Sequence, residues 1–220
     1  MPRLLRLAFA GVMATALALG PVATAAADTT HRQRPLPADK LAGALITVAD
    51  LPAGFYTMSE NPGVAKYISG DPACATMVEL QRQMSTNTAP GAFATAEVFL
   101  TDLKGSFVWQ GFGSYRGMWS TLVFVKLAHA TAHCKSFVME LEGGERAEIT
   151  QLAVSPVAVA DMGLHSRFRS TIGAIVLDSD TILARSGRTL LMVNGHLPGR
   201  PDLAEDLALK AAANLADANS

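Results

Sequence analysis

Cys74 and Cys134 are the only thiols in the 220-residue chain, and their fate does most to limit what it can fold into. A bridge between them closes a loop of about 60 residues and removes unfolded-state entropy worth about 4 kcal/mol. Disulfides persist outside the cytoplasm and are rare within it, so the compartment decides. The N-terminal segment points outward. Arg3 and Arg6 make a positive start, Leu7 to Leu19 runs without a charge, and Ala25-Ala26-Ala27 offers small residues for cleavage. The apolar run is shorter than the about 20 residues a spanning helix needs. A buried core helix is the competing reading, but it explains neither the charged start nor the small-residue exit. Residues 1–27 are therefore expected to be a signal peptide of the general export route, because no cysteine follows for lipid attachment and no adjacent twin arginines precede. A Cys74–Cys134 bridge is the expectation. A catalytic thiol is the alternative, and it finds no Cys-x-x-Cys neighbour to support it.

Removing the leader takes two of the 18 basic side chains and leaves 19 acidic ones, a formal charge of −3. No basic excess remains to neutralise phosphates, which excludes an electrostatic nucleic-acid binder. With 50% hydrophobic and 17% charged residues, the chain is too apolar for intrinsic disorder. No later stretch reaches membrane-spanning length without a charge or breaker. The expected product is secreted and monomeric, with residues 28–37 a flexible lead-in and 38–220 one folded domain.

Periodicity gives the elements. Leu41, Ala44, Leu45 and Val48 recur at helical spacing in Asp39 to Asp50, and Leu51-Pro52-Ala53-Gly54 stops them. Phe55 to Ser59 is a short candidate strand. Asp71 and Pro72 open a helix from Ala73 to Met84. Phe93 to Leu100 and Phe107 to Phe112 read as a hairpin. From Met118 to Leu141, apolar residues at three- and four-residue steps predict one long helix, although Leu122 to Val125 also suits a strand. Ala147 to Val154, His165 to Ile172, Ile175 to Arg185 and Thr189 to Val193 read as strands, the last two a hairpin about Ser186-Gly187. Arg200 to Ala216 closes as a helix with Leu203, Leu207, Ala211 and Leu215 on one face. The expected fold class is α+β, a single twisted antiparallel sheet with helices packed on one face and one disulfide.

The order of these words resembles a known family. Ala49-Asp50-Leu51-Pro52-Ala53-Gly54-Phe55 is followed by a helical Cys74, then strand pairs, then Cys134-Lys135-Ser136-Phe137. Asp161-Met162-Gly163, a polar-faced strand, the hairpin Ile182 to Val193 and Pro201-Asp202 before an Ala-rich helix complete the series. The chain resembles the extracellular sensor domain of actinobacterial serine/threonine protein kinases and its stand-alone exported relatives. The resemblance spans nearly the whole mature chain and implies a twisted antiparallel sheet with a cleft between sheet and helices, suited to a small ligand. It brings no catalytic residues. The kinase-linked domain has two disulfides where this chain can form one. Neither kinase nor anchor accompanies it here, so direct signalling through a membrane is not expected.

Three clusters are candidates for chemistry. His129 and His133, four apart, share a helix face and can chelate a metal, but a third ligand is not evident, and unliganded exposed histidines are the alternative. Arg167, Arg169 and Arg185 on neighbouring strands suit a small anion, since guanidinium holds carboxylate or phosphate bidentately; a solvated outer face is the alternative. Trp109, Phe112, Tyr115 and Trp119 gather aromatics that either fill a core or rim a site for an apolar ligand. Gly113-Ser114-Tyr115-Arg116-Gly117 misplaces its serine for a nucleophile elbow, and Gly111-Phe112-Gly113 lacks the third glycine of a dinucleotide loop. The expectation is an exported, non-enzymatic ligand-binding or sensor-like domain without cofactor, holding a small or amphiphilic molecule or a cell-envelope component. A surface interaction module is the alternative, and a secreted hydrolase the third reading.

Overall fold

The computed structural model describes residues 34–58, 65–141, 143–200 and 202–220. The expected signal peptide, residues 1–27, and the start of the expected lead-in lie outside the described residues. In chain order the elements are α1 (Ala38–Gly43), a 3-10 turn (Val48–Asp50), β1 (Tyr56–Thr57), β2 (Lys66–Gly70), α2 (Pro72–Ser85), β3 (Ala92–Thr101), β4 (Phe107–Tyr115), α3 (Trp119–His133), β5 (Ser136–Glu140), β6 (Arg146–Pro156), β7 (Met162–Ile172), β8 (Ile175–Ser186), β9 (Thr189–His196) and α4 (Leu203–Ala218). The strands form one antiparallel sheet in the order β1-β3-β4-β9-β8-β7-β6-β5-β2. Among the described residues, no helix is long and apolar enough to cross a membrane.

The two edge strands are neighbours in sequence, separated only by residues 58–65. A link of that length reaches about 30 Å fully extended. Nine strands laid flat at about 4.8 Å spacing span about 38 Å. The sheet is therefore curled, and its two ends approach each other across one concave face.

Alternation along the central strands fills both faces. Leu191 and Val193 of β9, with Ile182 and Ala184 of β8, join a core with Leu41 of α1 and Leu203, Leu207, Ala211 and Leu215 of α4. Leu190, Met192 and Leu183 point the other way, into a core with Met77 of α2 and Val123, Phe124 and Leu127 of α3. The helices thus divide between the two faces, α2 and α3 in the concavity and α1 and α4 behind it. The uninterrupted run Leu190 to Val193 reflects this double burial, because a strand with one wet face alternates instead. Leu36, within the expected lead-in, is buried in the α1/α4 core.

Two expected helices differ. The first helix stops at Gly43, and the chain then makes a 3-10 turn capped by Thr47, whose backbone N–H donates to Asp50 Oδ2 at 2.8 Å. Between them Ile46 N–H donates to the buried Gln110 Oε1 at 2.7 Å. The long helix ends at His133, and Phe137 and Met139 are buried as alternate residues of β5. Over so short a stretch, spacings of three, four and two overlap, which hid the break. Leu122 to Val125 is helical. Strand β2 was not anticipated.

The bridge joins Cys74 in the first turn of α2 to Cys134 at the end of α3, with S–S 2.09 Å. Asp71, at the N-cap position of α2, does not cap its own helix. Its Oδ2 instead accepts the backbone N–H groups of Lys135 (2.9 Å) and Ser136 (3.3 Å), fixing the turn from α3 into β5.

Candidate functional site

A groove of about 400 Å³ opens between α2 and the concave face of the sheet. Its wall is Val78, Gln81, Arg82, Ser85 and Thr86, a stripe at helical spacing along the second half of α2. Its floor is a row set by register, with Phe99 opposite Trp109, Trp109 opposite Asn194 and Asn194 opposite Thr181. Phe107 and Met192 extend the floor, and Met139 of β5 and Ala65 form the far side. Residues near opposite ends of the sheet meet here because the sheet curls.

Two polar groups interrupt this apolar floor. Asn194 Nδ2 donates to Thr181 Oγ1 at 2.6 Å, which leaves the amide oxygen of Asn194 as an acceptor. At the mouth, Arg82 donates to both carboxylate oxygens of Glu79 at 2.8 and 2.7 Å. The hydrogen bonds from Arg82 hold the Glu79 carboxyl down at about 2. Gly111 shapes the floor by what it lacks: a Cβ there would stand 2.7 Å from the Trp109 indole, so the ring rests on bare backbone. Trp109 Nε1 donates to Glu97 Oε2 at 3.2 Å, fixing the ring from its other side.

The expected aromatic cluster is divided. Trp109 lines the groove, whereas Phe112 points into the α1/α4 core. Tyr115 is buried beneath α3, where burial raises the pKa of its phenol. Trp119, at the start of α3, lies half exposed against Gly91. The groove lies under α2, and the inner face of α3 is packed by Leu127, Val123 and Phe124.

The three arginines do not assemble into an anion site. Arg167 and Arg169 share the α1/α4 side of β7, and each is engaged by a carboxylate, Arg167 by Asp180 at 3.0 Å and Arg169 by Asp178 at 2.7 Å. His165 Nε2 meets the same Asp180 at 2.7 Å. Arg185 has the opposite parity on β8 and lies on the α3 side, donating to Gly187 O at 2.9 Å and pairing with Asp161 at 3.3 Å. His129 and His133 do come together on the outer face of α3. Their ring centroids are 4.2 Å apart, and His133 Nδ1 lies 2.8 Å from His129 O. Among the described residues, no group of three or more His, Cys, Asp or Glu is placed to hold a metal ion.

Sequence reasoning missed Phe99, Phe107, Thr181, Met192 and Asn194. The available signal was Thr181 and Asn194, polar residues at the ends of the apolar runs Ile182 to Ala184 and Leu190 to Val193.

No protein-family model matches the sequence, and no curated protein matches it. Among solved structures, the chain is similar to the extracellular domain of PknH from Mycobacterium tuberculosis, with a TM-score of 0.65 at 12% identity over 84% of this chain and 99% of that one. A Mycobacterium smegmatis protein, the Rv0999 ortholog, aligns over 80% of this chain and 96% of its own at 12% identity, with a TM-score of 0.38 that is too low to equate the folds. The chain therefore has the fold of a mycobacterial kinase's extracellular domain, in agreement with the sensor-domain resemblance drawn from its sequence.

Proposed function

We propose that the chain is an exported, monomeric, non-enzymatic ligand-binding domain of sensor type, which holds a small amphiphilic molecule in the α2 groove. The observation that carries this reading is the groove itself. About 400 Å³ falls within the size range of small-molecule sites, and an apolar floor with a few convergent polar groups is their usual chemistry. Phe99, Phe107, Trp109, Met139 and Met192 suit an acyl chain or ring, and the Asn194 amide and Thr181 hydroxyl suit a polar group on it. The polar lining consists of amides, hydroxyls and one guanidinium, groups that orient a ligand by hydrogen bonding. The disulfide supports export, since such a bond persists in an oxidising compartment. Likeness to the extracellular PknH domain supports a sensor-type role.

Native mass spectrometry of the protein recovered from secreting cells tests the reading. A discrete adduct that disappears in a groove-filling Val78→Phe variant is expected. An adduct-free protein, or an adduct that survives Val78→Phe, would overturn it.

A further inference from the structure

The outer face of α3 is unusual for a helix on a water-soluble body. Met118, Leu122 and Val125 fall on its outermost line at 61%, 47% and 51% exposure, with Trp119 beside them at 41%. His129 and His133 continue the same line, and Lys126 flanks it. Phe93 adjoins the Trp119 end, with the Arg116 guanidinium 5.3 Å over its ring and the Arg116 N–H held by Gly91 O at 2.8 Å.

Charge tells what covers this face. Residues 116–135, which carry α3 and its two flanks, contain Arg116, Lys126 and Lys135 and no aspartate or glutamate, in a chain that is acidic as a whole. Two carboxylates flanking α3 are already engaged, Asp71 by the Lys135 and Ser136 N–H groups and the exposed Asp161 by Gly187 N–H and Arg185. Exposed Leu, Val, Met and Trp with uncompensated lysine and arginine is the chemistry of a helix lying in the headgroup region of an anionic bilayer. There tryptophan sits at the interface and cations meet lipid phosphates. We propose that α3 is a peripheral docking surface for anionic lipid membranes, with Trp119, Leu122 and Val125 inserted among the headgroups and Arg116, Lys126 and Lys135 holding the phosphates. This surface is separate from the groove, which opens beside α2.

Co-sedimentation of the whole protein with vesicles tests it, using phosphatidylglycerol mixed equally with phosphatidylcholine against phosphatidylcholine alone. Binding to the anionic vesicles on the order of tenfold tighter, weakened by added salt, is expected. A Leu122→Asp/Val125→Asp variant should lose it, and Lys126→Glu should lower it by about tenfold. Both substitutions are on exposed positions, and an unchanged melting temperature with no free thiol shows that the variants fold. Val78→Phe, which fills the groove, should leave vesicle binding intact. Equal binding to both vesicle types, no binding, or full binding by the Leu122→Asp/Val125→Asp variant would overturn the proposal. So would concentration-dependent dimerisation abolished by that variant without any vesicle binding, which would make the face a protein interface.

Discussion

The indole of Trp109 lies on Gly111 of its own strand, so close that a Cβ at position 111 would stand 2.7 Å from the ring. Gly111→Ala therefore forces Trp109 off the groove floor. The expected result is a shifted tryptophan emission and a stability loss of about 1 to 2 kcal/mol, typical of inserting a methyl group into a packed site. Emission spectra and a denaturant titration check both. An unchanged spectrum would show that the ring does not depend on that gap.

The Cys74–Cys134 bridge spans a sequence separation of 60. Replacing both cysteines by serine should lower unfolding free energy by about 4 kcal/mol, from restored freedom of the unfolded chain. Urea unfolding with and without reductant measures it. Thiol counting on the denatured, unreduced protein should find none.

Asp71 joins α2 to the α3–β5 turn through two backbone N–H groups. Asp71→Ala leaves both without that acceptor and should cost at most about 1.5 to 3 kcal/mol, the range for hydrogen bonds to charged groups. Asp71→Asn, which keeps an oxygen acceptor, should recover part of the loss. Thermal melts of the two variants side by side give the answer.

Hydrogen bonding from Arg169 holds the Asp178 carboxyl below its ordinary 3.8. A depressed folded-state value stabilises the protein above the unfolded pKa, and that contribution is lost as the pH falls through the folded value. Both side chains are over 40% exposed, so solvent screening keeps the contribution to roughly 1 kcal/mol or less. Stability measured from pH 6 down to about pH 2 should therefore fall less steeply in Asp178→Asn than in the parent.

Sequence periodicity reached the fold wherever one signal dominated. The stripe Leu203, Leu207, Ala211, Leu215 placed α4 and its buried face, and the hairpin about Ser186-Gly187 placed β8 against β9. It failed at Phe137 to Leu141, where helical and strand spacings coincide and the extended Cys134, with Asp71 holding Lys135 and Ser136 after it, marks the break. The expectation of helices on one face is corrected, since α1 and α4 pack on one side and α2 and α3 on the other; the unbroken run Leu190 to Val193 carries that signal, although by itself it reads only as a strand. The groove was hardest to read. Its lining joins Phe99, Met139 and Asn194, which are far apart in sequence and meet only because the sheet curls. The arginines misled for a related reason: strand parity separates Arg185 from Arg167 and Arg169, and each meets a carboxylate that spacing alone does not pair with it.

Occupancy of the groove is measured most directly through Trp109. The chain has two tryptophans, so Trp119→Phe leaves Trp109 as sole reporter. Titrating that variant with lysophosphatidylcholine below its micellar concentration should give a saturable blue shift of one-to-one stoichiometry, abolished by Val78→Phe. No saturable shift, or an equal one after Val78→Phe, would contradict a ligand site beneath α2.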